Sequence, residues 1–125
     1  MNIVLLYLVI RGINMGYERE LLKGSTDSLL LSLIGNKPMY GYQLIKEMER
    51  RSGGYFRFGD GTLYPALHRL EKEGLIQGKW EHSPGGQERR YYYLTEKGHQ
   101  VLVEKAAEWQ RFSAAVNMII EPINP

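Results

Sequence analysis

The chain has 125 residues, 43% hydrophobic and 24% charged, which suits one soluble domain around a single modest core. It holds no cysteine, which excludes a disulfide framework and a thiolate metal site and makes an intracellular, cytoplasmic protein the default expectation. A net charge of +2 and a pI near 8.8 neither demand nor forbid a nucleic-acid partner; any basic surface has to be local.

Residues 1–14, MNIVLLYLVIRGIN, carry an apolar run from Ile3 to Ile10. It is too short to span a bilayer and lacks the basic leader and small-residue cleavage site of a secretory signal. These residues are expected to be an extension upstream of a domain that begins at Met15, from a misassigned start or as a poorly ordered segment. Tyr17 to Lys23 reads as a short, weakly helical stretch punctuated by Gly24. Ser25 or Thr26 is then expected to cap a helix whose buried face is Leu29, Leu30, Leu33 and Ile34. Gly35-Asn36 and Lys37-Pro38 end it in a turn. A second helix follows from Tyr40, with Leu44, Ile45 and Met48 inward and Gln43, Lys46, Glu47 and Arg50 outward, and Ser52-Gly53-Gly54 closes it.

The stretch from Gly59 to Leu75, GDGTLYPALHRLEKEGL, predicts a third helix capped by Thr62, with Pro65 in its first turn and Gly74 just past its end. Leu63, Ala66, Leu67 and Leu70 make its apolar face. Thr62, Tyr64, His68, Arg69 and Lys72 point outward. Two aromatic-rich runs, Leu75 to His82 and Arg89 to Thr95, flank SPGGQE and predict a β-hairpin; alternation sends Tyr92 and Leu94 to the core and Tyr91 and Tyr93 to the other face. Thr95 caps a last helix running to about Ile120, where Pro122 stops it. Helix, helix, helix, hairpin, long helix is the winged helix-turn-helix order: mainly α with a small β-hairpin, plus a long C-terminal dimerisation helix. The predicted division is an extension over 1–14, a winged helix-turn-helix domain over 15–95, and a dimerisation helix and tail over 96–125.

No P-loop, nucleophile elbow or HExxH motif is present, and His68, His82 and His99 lack metal-ligand spacing, so neither an enzyme nor a cofactor or metal site is expected. A short helix with hydrogen-bonding groups crowded at its start suits a DNA groove, although the same pattern describes an ordinary amphipathic surface helix. Base reading would fall to Thr62, Tyr64, His68 and Arg69, with Pro65 against a thymine methyl. Lys79, Arg89 and Arg90 flank the hairpin tip, where cations reach phosphates or a narrow minor groove. Tyr40 and Gln43, at the start of the second helix, are candidate phosphate contacts, whereas Tyr42 is expected in the core. In the last helix Leu102, Trp109, Phe112, Val116 and Ile119 form an a/d stripe, interrupted at Lys105. It is read as a homodimer interface, against the alternative of a helix folded back on its own domain. Two copies of Trp109 facing each other across a dimer axis would clamp a planar aromatic molecule.

Together PMYGYQLIKEM (Pro38 to Met48), GTLYPALHRLEKEGLI (Gly61 to Ile76) and RRYYYLTEKG (Arg89 to Gly98) resemble the second helix, recognition helix and wing of the PadR family of transcriptional regulators. The resemblance runs from about Leu21 to Ile120. The single C-terminal helix is similar to the family's short subgroup, and Glu88 departs from the more basic wing common in it. The resemblance implies a homodimeric winged-helix repressor of a palindromic operator in double-stranded DNA. It also implies control of detoxification, efflux or phenolic-acid genes, relief by a small planar aromatic effector, and an interfacial aromatic at Trp109. A winged-helix module that binds protein instead of DNA is the alternative from another class; a small-molecule carrier is a further one.

Overall fold

A computed structural model describes the backbone of residues 15–120 and the side chains of residues 25–120; the expected extension over 1–14 lies outside them. The first helix, α1 (Met15–Asn36), corrects the sequence reading: it runs for 22 residues straight through Gly24-Ser25-Thr26, with no break and no cap there. A glycine inside a helix costs about 1 kcal/mol. Restarting the helix would instead strip several N–H groups of their partners, and Thr26 is only 5% exposed, a position with little water to replace them. Beyond it Leu30, Leu31, Leu33 and Ile34 are buried.

After the Lys37-Pro38 turn, Met39 O accepts from Tyr92 N–H (2.9 Å), so the chain touches the hairpin before entering α2 (Gly41–Arg51). Tyr40 is the N-cap of α2, and Gln43 Oε1 accepts from the Tyr40 N–H (3.2 Å), closing the helix start from the third position. Leu44 and Met48 are buried and Ile45 packs against them. Gly53 and Gly54 take φ of 63° and 83°, a left-handed reversal that suits glycine, and Gly54 N–H donates to Glu49 O (2.7 Å).

The third helix, α3 (Asp60–Lys72), starts three residues earlier than the Thr62 cap requires. Gly59 is the N-cap and offers no side chain. Its carbonyl accepts from both Thr62 N–H (3.1 Å) and Leu63 N–H (3.0 Å), and Asp60 sits in the first turn, where its charge favours the helix dipole. Pro65 is therefore the sixth helical residue, one turn further in than expected, with no N–H to offer Gly61. Leu63, Ala66, Leu67 and Leu70 form the predicted inner face, at most 3% exposed.

The hairpin pairs β1 (Ile76–His82) with β2 (Glu88–Leu94) antiparallel, Ile76 opposite Leu94 and His82 opposite Glu88. Tyr92 is buried and Leu94 packs against the core, as alternation required. The last helix, α4 (Glu96–Ile119), is capped by Thr95 as expected: Thr95 Oγ1 accepts from Gly98 N–H (3.0 Å). The same hydroxyl donates to Gly74 O (2.6 Å), Thr95 N–H donates to Leu75 O (3.1 Å), and Lys97 Nζ donates to Glu73 O (2.9 Å). The last three of these hydrogen bonds knot the start of α4 to the end of α3. Gly98 lies so close to this knot that a Cβ on it would stand 2.0 Å from Leu75 O.

Leu102, expected at a dimer interface, also takes part in the domain's own packing. It is partly buried against the core and reaches the backbone of Gly35 in α1, where a Cβ would meet its Cδ2 at 3.1 Å. Past Leu102 the stripe leaves the body: Trp109, Phe112 and Ile119 are 59%, 60% and 82% exposed, while Val116 is half-buried. Among the described residues no helix is long and apolar enough to cross a membrane.

Candidate nucleic-acid interface

The exposed side of α3 carries Thr62, Tyr64, Pro65 and His68 over its first turns, all facing solvent. Tyr64 does more than face outward. Its hydroxyl lies against Gly41, the first residue of α2, where a Cβ would stand 2.6 Å from Tyr64 Oη. Glycine at 41 lets the two helices meet this closely, and Tyr64 thereby ties α3 to the start of α2.

One residue back, Tyr40 is the centre of a small cluster. The Arg89 guanidinium lies over its ring at 4.4 Å, and Tyr91 meets it edge-on at 5.4 Å. Arg89 also donates to Gln87 Oε1. The structure therefore joins Tyr64, Gly41, Tyr40 and Arg89 into one continuous corner between α3, α2 and the hairpin. Gln43 borders the same corner.

Other predicted site residues are engaged elsewhere. Arg90 does not reach outward with Arg89. It lies across Gly78, where a Cβ would meet its Nε at 2.1 Å, and donates to Glu71 Oε2 (2.6 Å). The same Glu71 oxygen accepts from Gly78 N–H (3.0 Å), so one carboxylate of α3 clasps the hairpin through both strands. Arg69 points out of α3 but pairs with Asp27 of α1. Lys79 stands over the Tyr93 ring at 5.0 Å, and Tyr93 donates its hydroxyl to Glu81. That bond, with burial and the Glu81 charge as lesser causes, raises the Tyr93 pKa; burial above all raises that of Tyr92. His82 stands 3.9 Å from Glu88 near the hairpin tip. Tyr42, expected in the core, is 57% exposed, with Lys46 Nζ 5.3 Å from its ring centre; among the described residues the buried tyrosine is Tyr92.

Glu71, Gly41 and Gly98 were not singled out from sequence. A signal existed for one of them: Glu71 falls four residues after Leu67, at the edge of the α3 inner face, where a carboxylate needs a partner. Strand parity also places Arg90 on the side of Tyr92 and Leu94, away from Arg89. Among the described residues no group of His, Cys, Asp or Glu could hold a metal.

Three helices of which the third presents a polar face, a hairpin clasped to that helix and a long trailing helix define a winged helix-turn-helix protein. A profile of the transcriptional regulator PadR-like family matches residues 30–104. The chain belongs to that family, and is a regulator of transcription and not an enzyme. It is similar to the transcriptional regulator Rv3488 of Mycobacterium tuberculosis, 33% identical over 69% of this chain and 77% of that one. Its fold is similar to that of a PadR-like transcriptional regulator of Bacillus cereus, with a TM-score of 0.76 and 32% identity over 83% of this chain and 99% of that one. It is likewise similar to a PadR family regulator of Eggerthella lenta, with a TM-score of 0.73 and 30% identity over 93% and 99%.

Proposed function

We propose that this regulator binds double-stranded DNA as a homodimer, each copy reading half of a palindromic operator. The observation that carries the reading is the corner in which Tyr64 touches Gly41 and Tyr40 carries Arg89. It sets an exposed helical face directly beside a cation held on a hydrogen-bonded helix start, the pairing that a major groove and its bordering phosphates require. Thr62, Tyr64, Pro65 and His68 face the bases. Arg89, Tyr40, Gln43 and Lys79 face the backbone, while Arg90 holds the wing in place through Glu71. Arg69, drawn to Asp27, stands at the border.

Trp109, Phe112, Val116 and Ile119 supply the second copy's contact surface. Trp109 and Phe112 lie with ring centres 5.9 Å apart, and a planar aromatic effector would enter between the two copies of that pair. Occupancy of the operator represses transcription in the cytoplasm, and the effector relieves it; detoxification and efflux genes are the targets the family resemblance suggests. Sequencing the genomic DNA that the protein retains tests the reading, with inverted half-sites expected. Arg89→Ala should weaken binding to every sequence, whereas Tyr64→Ala should weaken binding to the retained sites more than to random duplex. Unchanged affinity in both variants would sink the assignment.

A further inference from the structure

We propose that the groove along the outer side of α2, lined by Lys37, Tyr42, Lys46, Arg50 and Arg51, is a second phosphate track that holds the DNA backbone flanking each half-site. The proposal rests on the DNA-binding reading above. The groove has a volume of about 560 Å³ and lies between the turn after α1 and the α2 face. Four cations face one carboxylate in it, Glu47. The helix's other glutamate, Glu49, has Arg57 at 3.8 Å and does not line the groove.

Geometry makes this a track and not a point. Tyr42, Lys46 and Arg50 recur every fourth residue and so form one file along α2, about 12 Å long at a rise of ~1.5 Å per residue. Rising about 3.4 Å per phosphate along the axis while winding around it, a DNA strand sets successive phosphates about 7 Å apart, so the file spans about two of them. The groove is continuous with the corner already described, because Tyr40 and Gln43 line both. In a helix-turn-helix the first helix of the pair crosses the backbone while the second enters the groove, which is how α2 and α3 stand here.

The charges are available. Lys37 and Arg51 have no ion-pair partner among the described residues, and Lys46 is held only by the Tyr42 ring. Arg50 is gripped by Glu47 through both Nε and Nη2 at 2.9 Å. The Glu47 carboxyl is pulled below its ordinary pKa by that bond first, and further by the charges of Arg50, Arg51 and Lys37. All three cations therefore lie close enough for one anion to feel them, as a phosphate would.

The test is the salt dependence of binding to a long duplex of random sequence, since backbone contacts do not read bases. Each phosphate neutralised contributes about 0.9 to the log–log slope, so Lys46→Gln with Arg51→Gln should remove about 1.8. Between 50 and 200 mM salt that variant should lose about 12-fold less affinity than wild type does. Glu47→Gln, which frees Arg50, should steepen the slope, and Arg111→Gln on α4 should leave it unchanged. Unchanged urea midpoints keep the comparison free of folding effects. An unaltered slope in the double variant, with Arg89→Ala still flattening it, overturns the track and leaves the DNA reading standing. A flat wild-type slope overturns both. Capture of polyglutamate that depends on Lys46 and Arg51, with the DNA slope unaltered, assigns the groove to an acidic protein partner and likewise overturns the proposal.

Discussion

Replacing Gly98 by alanine sets two effects of opposite sign against each other. Gly98 is the third residue of α4, and alanine in a helix is favoured over glycine by about 1 kcal/mol. By propensity alone the variant should be the more stable protein. The structure says otherwise, because the new Cβ would stand 2.0 Å from Leu75 O and 2.9 Å from both Leu75 C and Leu94 Cδ1. The carbonyl is not free to swing, since it accepts from Thr95 N–H, and Thr95 is in turn bonded to Gly74 O. The first turn of α4 must therefore move away. Overpacking of this kind costs about 1–3 kcal/mol, and weakening two hydrogen bonds adds about 1 kcal/mol each. The net is a destabilisation of about 2–4 kcal/mol. At roughly 4 °C per kcal/mol for a chain of this size, Tm should fall by about 10 °C. Thermal unfolding followed by circular dichroism at one fixed protein concentration reads it directly. A Tm equal to or above that of the parent would refute the reasoning and show that helix propensity, not the close approach, governs this residue.

Further outcomes follow from the split of the α4 stripe. Leu102→Ala should lower Tm at every protein concentration, by a cost of about 2 kcal/mol, because Leu102 packs against the core and close to Gly35. Trp109→Ala should instead raise the concentration at which a dimer half-dissociates, at least tenfold, as sedimentation would show; the reverse pattern would contradict the split. Alkaline stability offers another check. Tyr92 and Tyr93 both have pKa values raised above the ordinary 10.0, so the folded chain holds their protons more tightly than the unfolded one. Their contribution is complete below pH 10 and is lost as pH rises through the folded values. Urea midpoints of Tyr93→Phe should then fall less steeply above pH 10 than those of the parent, and identical curves would count against the Tyr93–Glu81 bond.

Local signals carried much of this fold. The spacing of Leu63, Ala66, Leu67 and Leu70 gave α3 its inner face, Thr95 gave α4 its start, and alternation sent Tyr92 inward. Each is a pattern that neighbours along the chain impose on one another. What failed was settled by residues far away in sequence. Gly24-Ser25-Thr26 has the chemistry of a helix start, yet α1 runs through it to bury Thr26 and bring Asp27 to Arg69. Thr62 has the chemistry of a cap, but the carbonyl of Gly59 had already begun the helix. Tyr42 and Tyr92 are chemically alike; strand alternation marked Tyr92 as inward, whereas tertiary packing left Tyr42 outside. The candidate site shows the same division. Its outward α3 face was readable from periodicity, whereas the partnership of Arg90 with Glu71, and of Tyr64 with Gly41, depends on how the hairpin and α2 lie against α3.

The knot at Thr95 also fixes a lever. With 24 residues α4 is about 36 Å long, and its near end is bonded to Gly74, Leu75 and Glu73 at the end of α3. A 10° turn at that pivot sweeps the far end, near Ile119, through about 6 Å. Read in the opposite direction, a displacement of several ångströms at the exposed tip becomes a small, stiff rotation of α3. The molecule thus has a mechanical gear ratio, coarse at the free end and fine at the helix that Tyr64 anchors, set by how firmly three hydrogen bonds and one glycine hold the hinge.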